Sequence, residues 1–426
     1  MSGLWFRLLE IDLDRQSSYE REFPRTWGEV HLGGRGVGAR YLLEDRRRRG
    51  SPPDPLSGEN PLLFVTGPLQ GIAVPGAGKH IVMSWSPRTG GLNESYAGGA
   101  LGYELARSGV DGVVLRGRSP APCYVLFEQG RLQFLDARDL WGLTTDECER
   151  RLRERHGSTV AVATIGSAGE RLVRMSCIVH DGGHAAGRPG FGAVMGSKRV
   201  KAIVVKGSDA RPIADRMGLR RAARAYTELT LSNPGIRGFM DSGTSAGVSY
   251  YNELGILPTR NFRQGVFGGA ANISTDAINS RLLVRRDACR GCAVRCRPIL
   301  RVGDREMEGP EYETLASFGS LCLVDDLEVV AGAHHLCNQH GLDAISVGVS
   351  IAWLMEASEH GLVAPRDRLD WGDGSGLLRM VDEIVHRRGI GDALADGVAA
   401  AAQRYGGGDF AVEIRGIELP MHDPRG

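Results

Sequence analysis

The stretch VKAIVVKGSDARPIADRMGLRRAARAYTELTLS, residues 200–232, changes its period part-way along. Its first residues are a short run rich in Val and Ile, closed by Gly207, which is a strand signal. Beyond Pro212, Leu219, Ala222, Ala223, Tyr226 and Leu229 recur three or four apart among arginines, which is the spacing of a helix face. A strand-rich half giving way to a helical half predicts an α+β protein.

Working upstream, LLFVTGPL, HIVMSWSP, GVVLRGR, CYVLFEQGRLQFLD, VAVATIG and MSCIVHD are apolar runs bounded by Gly and Pro, hence strands. TTDECERRLRERHG places charges at helical spacing and ends at Gly157, so it reads as a helix. Downstream, DDLEVVAGAHHLCNQHG, SVGVSIAWLMEASEHG and GDALADGVAAAAQRYGGG are helical phrases closed by glycine. The division expected is a β-rich cofactor-binding domain over residues 1–208 and a helical domain over 211–408. Residues 409–426 resume a strand-like phrase, DFAVEIRGIELPMHDPRG, and read as the start of a third domain that is interrupted.

A chain of 426 residues can bury more than one core, and 42% hydrophobic with 24% charged residues is ordinary globular composition. Lys and Arg total 52 against 51 Asp and Glu, a net charge of +1, which gives no reason to expect a nucleic-acid or membrane partner. The basic run at 46–49 is expected to be a solvated loop. No basic segment followed by an apolar core opens the chain, and the apolar run at 344–357 is too short for a bilayer, so a cytoplasmic protein is expected.

Of the 8 cysteines, Cys123, Cys148, Cys177, Cys322 and Cys337 are scattered in apolar or mixed surroundings, as buried reduced thiols are. Cys289, Cys292 and Cys296 stand together in CRGCAVRC. Three clustered cysteines plus one distant ligand commonly hold a cubane iron–sulfur cluster, and Arg290, Arg295 and Arg297 favour the thiolate form. Zinc, which prefers paired CxxC motifs, and no metal at all are the alternatives. The 60 glycines gather in phrases such as GGRGVGAR (33–40), VPGAGK and SYAGGALG within 74–102, and HAAGRPGFGAVMGSK (184–198). Each is a structural turn or a place where backbone N–H groups meet a phosphate, with Lys79, Arg88, Arg188 and Lys198 at hand.

EGPEYETLASFG (308–319) sets three carboxylates near a helix start, either as dipole partners or as a proton acceptor beside a reacting centre. Asp343 in HGLDAISVG is an N-cap, or accepts two N–H bonds from the edge of a pterin ring.

Together, in order and spacing, GGRGVGARYLLE, SPRTGG, GYELARSGVDGVVLRGR, AAGRPGFGAVMGSK, CRGCAVRC, GPEYET, GLDAIS and ELPMHDPRG resemble the aldehyde:ferredoxin oxidoreductase family of tungsten enzymes, over nearly the whole chain. The resemblance implies a β-rich base for two pyranopterin dithiolenes that hold tungsten, occasionally molybdenum, with Mg2+ bridging their phosphates. It implies helical domains carrying a [4Fe-4S] cluster, oxidation of an aldehyde to a carboxylic acid, and electrons passed to ferredoxin or a partner subunit, in a homo-oligomer or heteromer. Carried over by position, Lys79, Gly98, Ala186, Gly187 and Arg188 would touch cofactor phosphates and pterin edges, and Asp343 would bind one pterin. Cys289, Cys292 and Cys296 would be cluster ligands, and Glu313, in preference to Glu311, the carboxylate near the metal.

Lys79 stands where the family usually has Arg, and Tyr96 replaces an Asn-like position. In the family ELPxxDPRG leads into a third domain with a second pterin-binding aspartate, a catalytic histidine and the fourth cysteine. The fourth ligand is then expected beyond this sequence, in a separate C-terminal chain, or at Cys322 or Cys337. A non-catalytic cofactor-binding subunit needing such a chain is the alternative reading, and a zinc-stabilised structural protein another.

Overall fold

The computed structural model describes residues 6–72, 74–208 and 211–425. The chain forms two compact units, one of residues 1–172, 176–231 and 289–293, the other of residues 173–175, 232–288 and 294–426.

Alternating side chains build the first unit. β1 (Phe6–Asp12), β2 (Ser17–Phe23), β3 (Leu62–Val65), β4 (His80–Trp85), β5 (Leu92–Ala97) and β6 (Gly112–Arg116) form a sheet in the order β2-β1-β6-β3-β4-β5. β7 (Cys123–Glu128), β8 (Arg131–Asp136), β9 (Ala161–Thr164), β10 (Ile178–His180), β11 (His184–Ala186) and β12 (Val200–Lys206) form a second, in the order β11-β10-β9-β12-β7-β8. β1 pairs parallel with β6, and β7 parallel with β12. Successive residues point to opposite faces of a strand. Leu9, Ile11, Leu62 and Phe64 therefore share a core with Val125, Phe127, Ala163 and Ile203 of the second sheet. Leu8, Leu63 and Val65 turn the other way, onto Val37, Tyr41 and Leu42. On the outer face of the second sheet, Tyr124, Val162 and Val204 pack on Cys148 and Leu152 of the helix Thr145–His156.

Two expectations need correction here. Arg46 to Arg49 are not a loop but the last turn of a 16-residue helix, Gly34–Arg49, which also absorbs most of the glycine phrase at 33–40. Sequence propensity argued against a helix with glycines at 34, 36 and 38. Packing overrides it, because a Cβ at Gly38 would run into Met83, so that turn lies on the sheet only as glycine. The arginines end the helix where its carbonyls favour positive charge. The helix Arg216–Ser232 has no buried residue and lies almost wholly within the first unit.

The second unit is helical around Ala344–Glu359, whose Ile351, Trp353 and Leu354 are fully buried. It also holds a small sheet absent from the sequence reading, β13 (Leu283–Asp287), β14 (Arg297–Val302) and β15 (Arg305–Glu308), all antiparallel. After the short helix Tyr312–Thr314 the chain widens into a π-helical turn, Leu315–Ser320, closed by Leu321 N donating to Ala316 O at 2.9 Å. Such turns recur at functional sites. Among the described residues no helix is long and apolar enough to cross a membrane.

Candidate functional site

In the first unit the glycine phrases converge on the cysteine motif. Cys292 N donates to Cys289 O at 2.9 Å, making a turn with Gly291 at φ +77°, and both cysteines are half-buried and in no disulfide. Gly98, at the end of β5, is buried against this turn. A Cβ there would lie 2.7 Å from His184 Nδ1 and 2.8 Å from Cys289 Sγ. At Gly78 it would lie 3.0 Å from Arg290 O and 3.2 Å from Cys289 Cβ. The two glycines thus form a cradle for Cys289 that side chains would fill.

Of the positions expected to touch cofactor phosphates, Lys79 is exposed just before β4, and Ala186 is buried at the end of β11. Gly187 faces open space, an added Cβ meeting nothing within 4 Å. Arg188 follows, half-buried, and the next carbonyl, that of Pro189, accepts from Ser86 Oγ at 2.8 Å, which joins the phrases at 84–91 and 184–190. Beneath them, His80 and His180 are fully buried with ring centroids 4.7 Å apart, and no ring nitrogen of either has a partner among the described residues. Burial holds both imidazoles neutral, pushing His80 down to about 3. Nothing in the sequence singled them out, because they come together from β4 of one sheet and β10 of the other.

In the second unit Glu311 and Glu313 line a cavity of about 510 Å³ with Phe239, Thr244, Tyr250, Tyr251, Tyr312 and His422. Glu313 is held on both oxygens, Met421 N donating to Oε2 at 2.9 Å and His422 Nε2 lying 3.2 Å from Oε1. The rings of Tyr251 and Tyr312 each sit 5.4 Å from the imidazole. Tyr312 is fixed by its N donating to Thr244 Oγ1 at 3.1 Å and its OH donating to Met421 O at 2.5 Å. Burial, then the charge of Glu313, push its phenol well above the usual range, so it stays a donor. Among the described residues no Lys or Arg lines the cavity.

Glu311 is exposed, and behind it Glu308 is held at about 7. Burial raises Glu308, Arg297 at 3.3 Å opposes it, and the charge of Glu311 raises it further. Asn338 donates to Glu308 at 3.4 Å and its amide lies 3.1 Å from His334 Nε2. No local signal assigned His422 a role, since its partner Glu313 is more than a hundred positions away.

Asp343 caps Ala344–Glu359, accepting from Ile345 N at 3.1 Å and from Ser346 Oγ at 2.6 Å, while its own N donates to Met175 O at 2.9 Å. Cys289 and Cys292 belong to the first unit and Cys296 to the second. Among the described residues no three His, Cys, Asp or Glu side chains make a metal-ligand set. Cys322 and Cys337 are fully buried, and burial pushes the Cys322 thiol upward.

Two family models cover the chain, aldehyde ferredoxin oxidoreductase N-terminal domain over residues 8–207 and aldehyde ferredoxin oxidoreductase domains 2 and 3 over residues 221–426. A tungsten-containing aldehyde ferredoxin oxidoreductase of Thermococcus kodakarensis is 36% identical over 100% of this chain and 71% of its own length. The WOR-like subunit of an aliphatic sulfonate oxidoreductase of Pyrococcus furiosus is 30% identical over 98% of this chain and 71% of its own. The active-site complex BamBC of benzoyl coenzyme A reductase, solved with 1,5-dienoyl-CoA, superposes with a TM-score of 0.86 at 27% identity, over 98% of this chain and 66% of that one.

Proposed function

Because the chain belongs to the aldehyde ferredoxin oxidoreductase family, a family of oxidoreductase enzymes, we propose that it oxidises an uncharged, apolar aldehyde to its carboxylic acid and delivers the electrons to ferredoxin or an electron-transfer subunit. The observation that carries this reading is the Glu313–His422 pair, 3.2 Å apart at the edge of a cavity walled by aromatic rings. The overall conversion, aldehyde plus water to acid plus two protons and two electrons, needs an electron sink and a proton acceptor. A tungsten or molybdenum bis-pyranopterin, when bound, supplies the sink, and a [4Fe-4S] cluster the way out.

The chain's own groups would supply the rest. Lys79, Ala186, Gly187 and Arg188 would hold the cofactor phosphates and their Mg2+, the open backbone at Gly187 leaving the room that a phosphate needs. Asp343 would meet one pterin edge, with Cys289, Cys292 and Cys296 as cluster ligands. Gly98 and Gly78 fit the cluster reading, since they leave Cys289 the space that a methyl group would take. Glu313, with one oxygen fixed by Met421 N, would accept the proton of the water that adds to the aldehyde carbon, and His422 would steady the resulting charge balance. Glu311, at the rim, would add negative charge that keeps anionic substrates out.

A second reading, a cofactor-binding subunit that acts only with another chain, is supported by relatives named as a subunit and as a complex. The test is aldehyde-dependent dye reduction by anaerobically prepared protein. Benzaldehyde should be turned over well and glyceraldehyde 3-phosphate poorly, and Glu313→Gln should lower kcat by about 10² to 10⁴. An unchanged rate in Glu313→Gln would remove the proposed role of that carboxylate.

A further inference from the structure

The geometry points to the exposed, arginine-bearing flank of the helix Arg216–Ser232 as the docking surface for a small acidic protein that takes up electrons. This rests on the redox reading above and names the partner's chemistry and its seat. The helix spans 17 residues, none of them buried. Met217, 60% exposed, stands among Arg216, Arg220 and Arg221 on one flank of the helix.

Its charge is one-sided. Arg216, Arg220 and Arg221 make no ion pair with any described residue, whereas Arg224 is matched by Glu228 at 2.7 Å and Arg211 by Asp111. An exposed apolar group beside three unpaired guanidinium groups suits a partner with an acidic rim around an apolar centre.

The helix is also joined to the cysteine turn, all within the first unit. Arg216, Leu219, Arg220 and Ala223 line a cavity of about 350 Å³ together with Tyr103. The Arg290 guanidinium lies 4.0 Å from the centre of the Tyr103 ring, and Arg290 stands between Cys289 and Cys292. From the other side, the Tyr226 hydroxyl is 3.6 Å from where a Cβ of Gly76 would be, two residues from the Gly78 that backs Cys289. A partner seated on this face would thus be held next to the half-exposed thiols through which electrons would leave.

The test is calorimetric titration of the full chain with a small acidic bacterial-type ferredoxin, in about 20 mM and about 200 mM salt. Binding is expected to weaken with salt, and the triple change R216E/R220E/R221E to raise Kd about tenfold or more. R47E/R48E, on the helix Gly34–Arg49, should leave Kd unchanged. All five arginines are exposed, and a retained melting temperature verifies folding. No binding by the wild-type chain, or equal weakening by both sets, overturns the proposal. Self-association that the triple change abolishes, seen by sedimentation, would assign the face to a second copy and overturn it likewise. Calorimetry uses no aldehyde, so a chain that fails to oxidise aldehydes still gives a readable answer about docking.

Discussion

At Gly98 a single methyl group is the difference between room and collision. Gly98→Ala would press on His184 and Cys289 at once, and overpacking of this kind costs about 1–3 kcal/mol. The expected result is a lower melting temperature with iron lost from the anaerobic protein; unchanged iron would separate Gly98 from the cysteine site. Glu308 makes a prediction in pH. Its folded value of about 7 lies above its ordinary 4.5, so below about pH 4.5 its contribution to stability is fully present. As pH rises from 4.5 to 7 the unfolded chain releases that proton while the folded chain keeps it, and the contribution is lost. Glu308→Gln should therefore flatten this fall in urea midpoint across that window; an identical slope in the variant would contradict it. The buried His334, held down at about 4, acts oppositely, losing its contribution as pH falls from 6.5 through 4. The thiols were marked by their spacing, whereas Glu313 and Asp343 were singled out only through the family resemblance. The pairing of His422 with Glu313 and the approach of Gly78 and Gly98 to Cys289 were not legible, since distance through space has no counterpart in spacing along the chain.

Among elements, the helix Ala344–Glu359 carries two readings of one aspartate that mutation separates. Asp343→Ala removes the cap and should cost about 0.5–2 kcal/mol, seen as a lower melting temperature. Asp343→Asn keeps an acceptor for Ile345 N, and its amide finds an acceptor in Ser346 Oγ, so stability should stay near that of the parent. If Asp343 also meets a pterin, both variants should lose tungsten; an Asn variant with full tungsten would leave the residue a cap alone. Strands were read well here, since β3, β4, β6, β7, β9 and β12 fall within their apolar runs. The helix Gly34–Arg49 was hidden because its glycines serve close packing, Gly36 on His31 and Gly38 on Met83 of β4, and β13 and β15 because charged residues dominate them.

Over the whole molecule, the change of period after residue 207 announced the passage from sheets to helices, and the motif order announced the family. The compact units nevertheless divide at 231, and residues 289–293 pack with the sheets, an exchange that no local signal predicts. Cys289 and Cys292 fall in the first unit and Cys296 in the second. Metal and acid-labile sulfide analysis of protein made anaerobically with tungstate, beside its Cys289→Ser variant, tests the central claim most directly. The account predicts about one tungsten and about four irons with labile sulfide per chain, the iron falling sharply in the variant. Stoichiometric zinc without tungsten or labile sulfide, the same in both proteins, would contradict it.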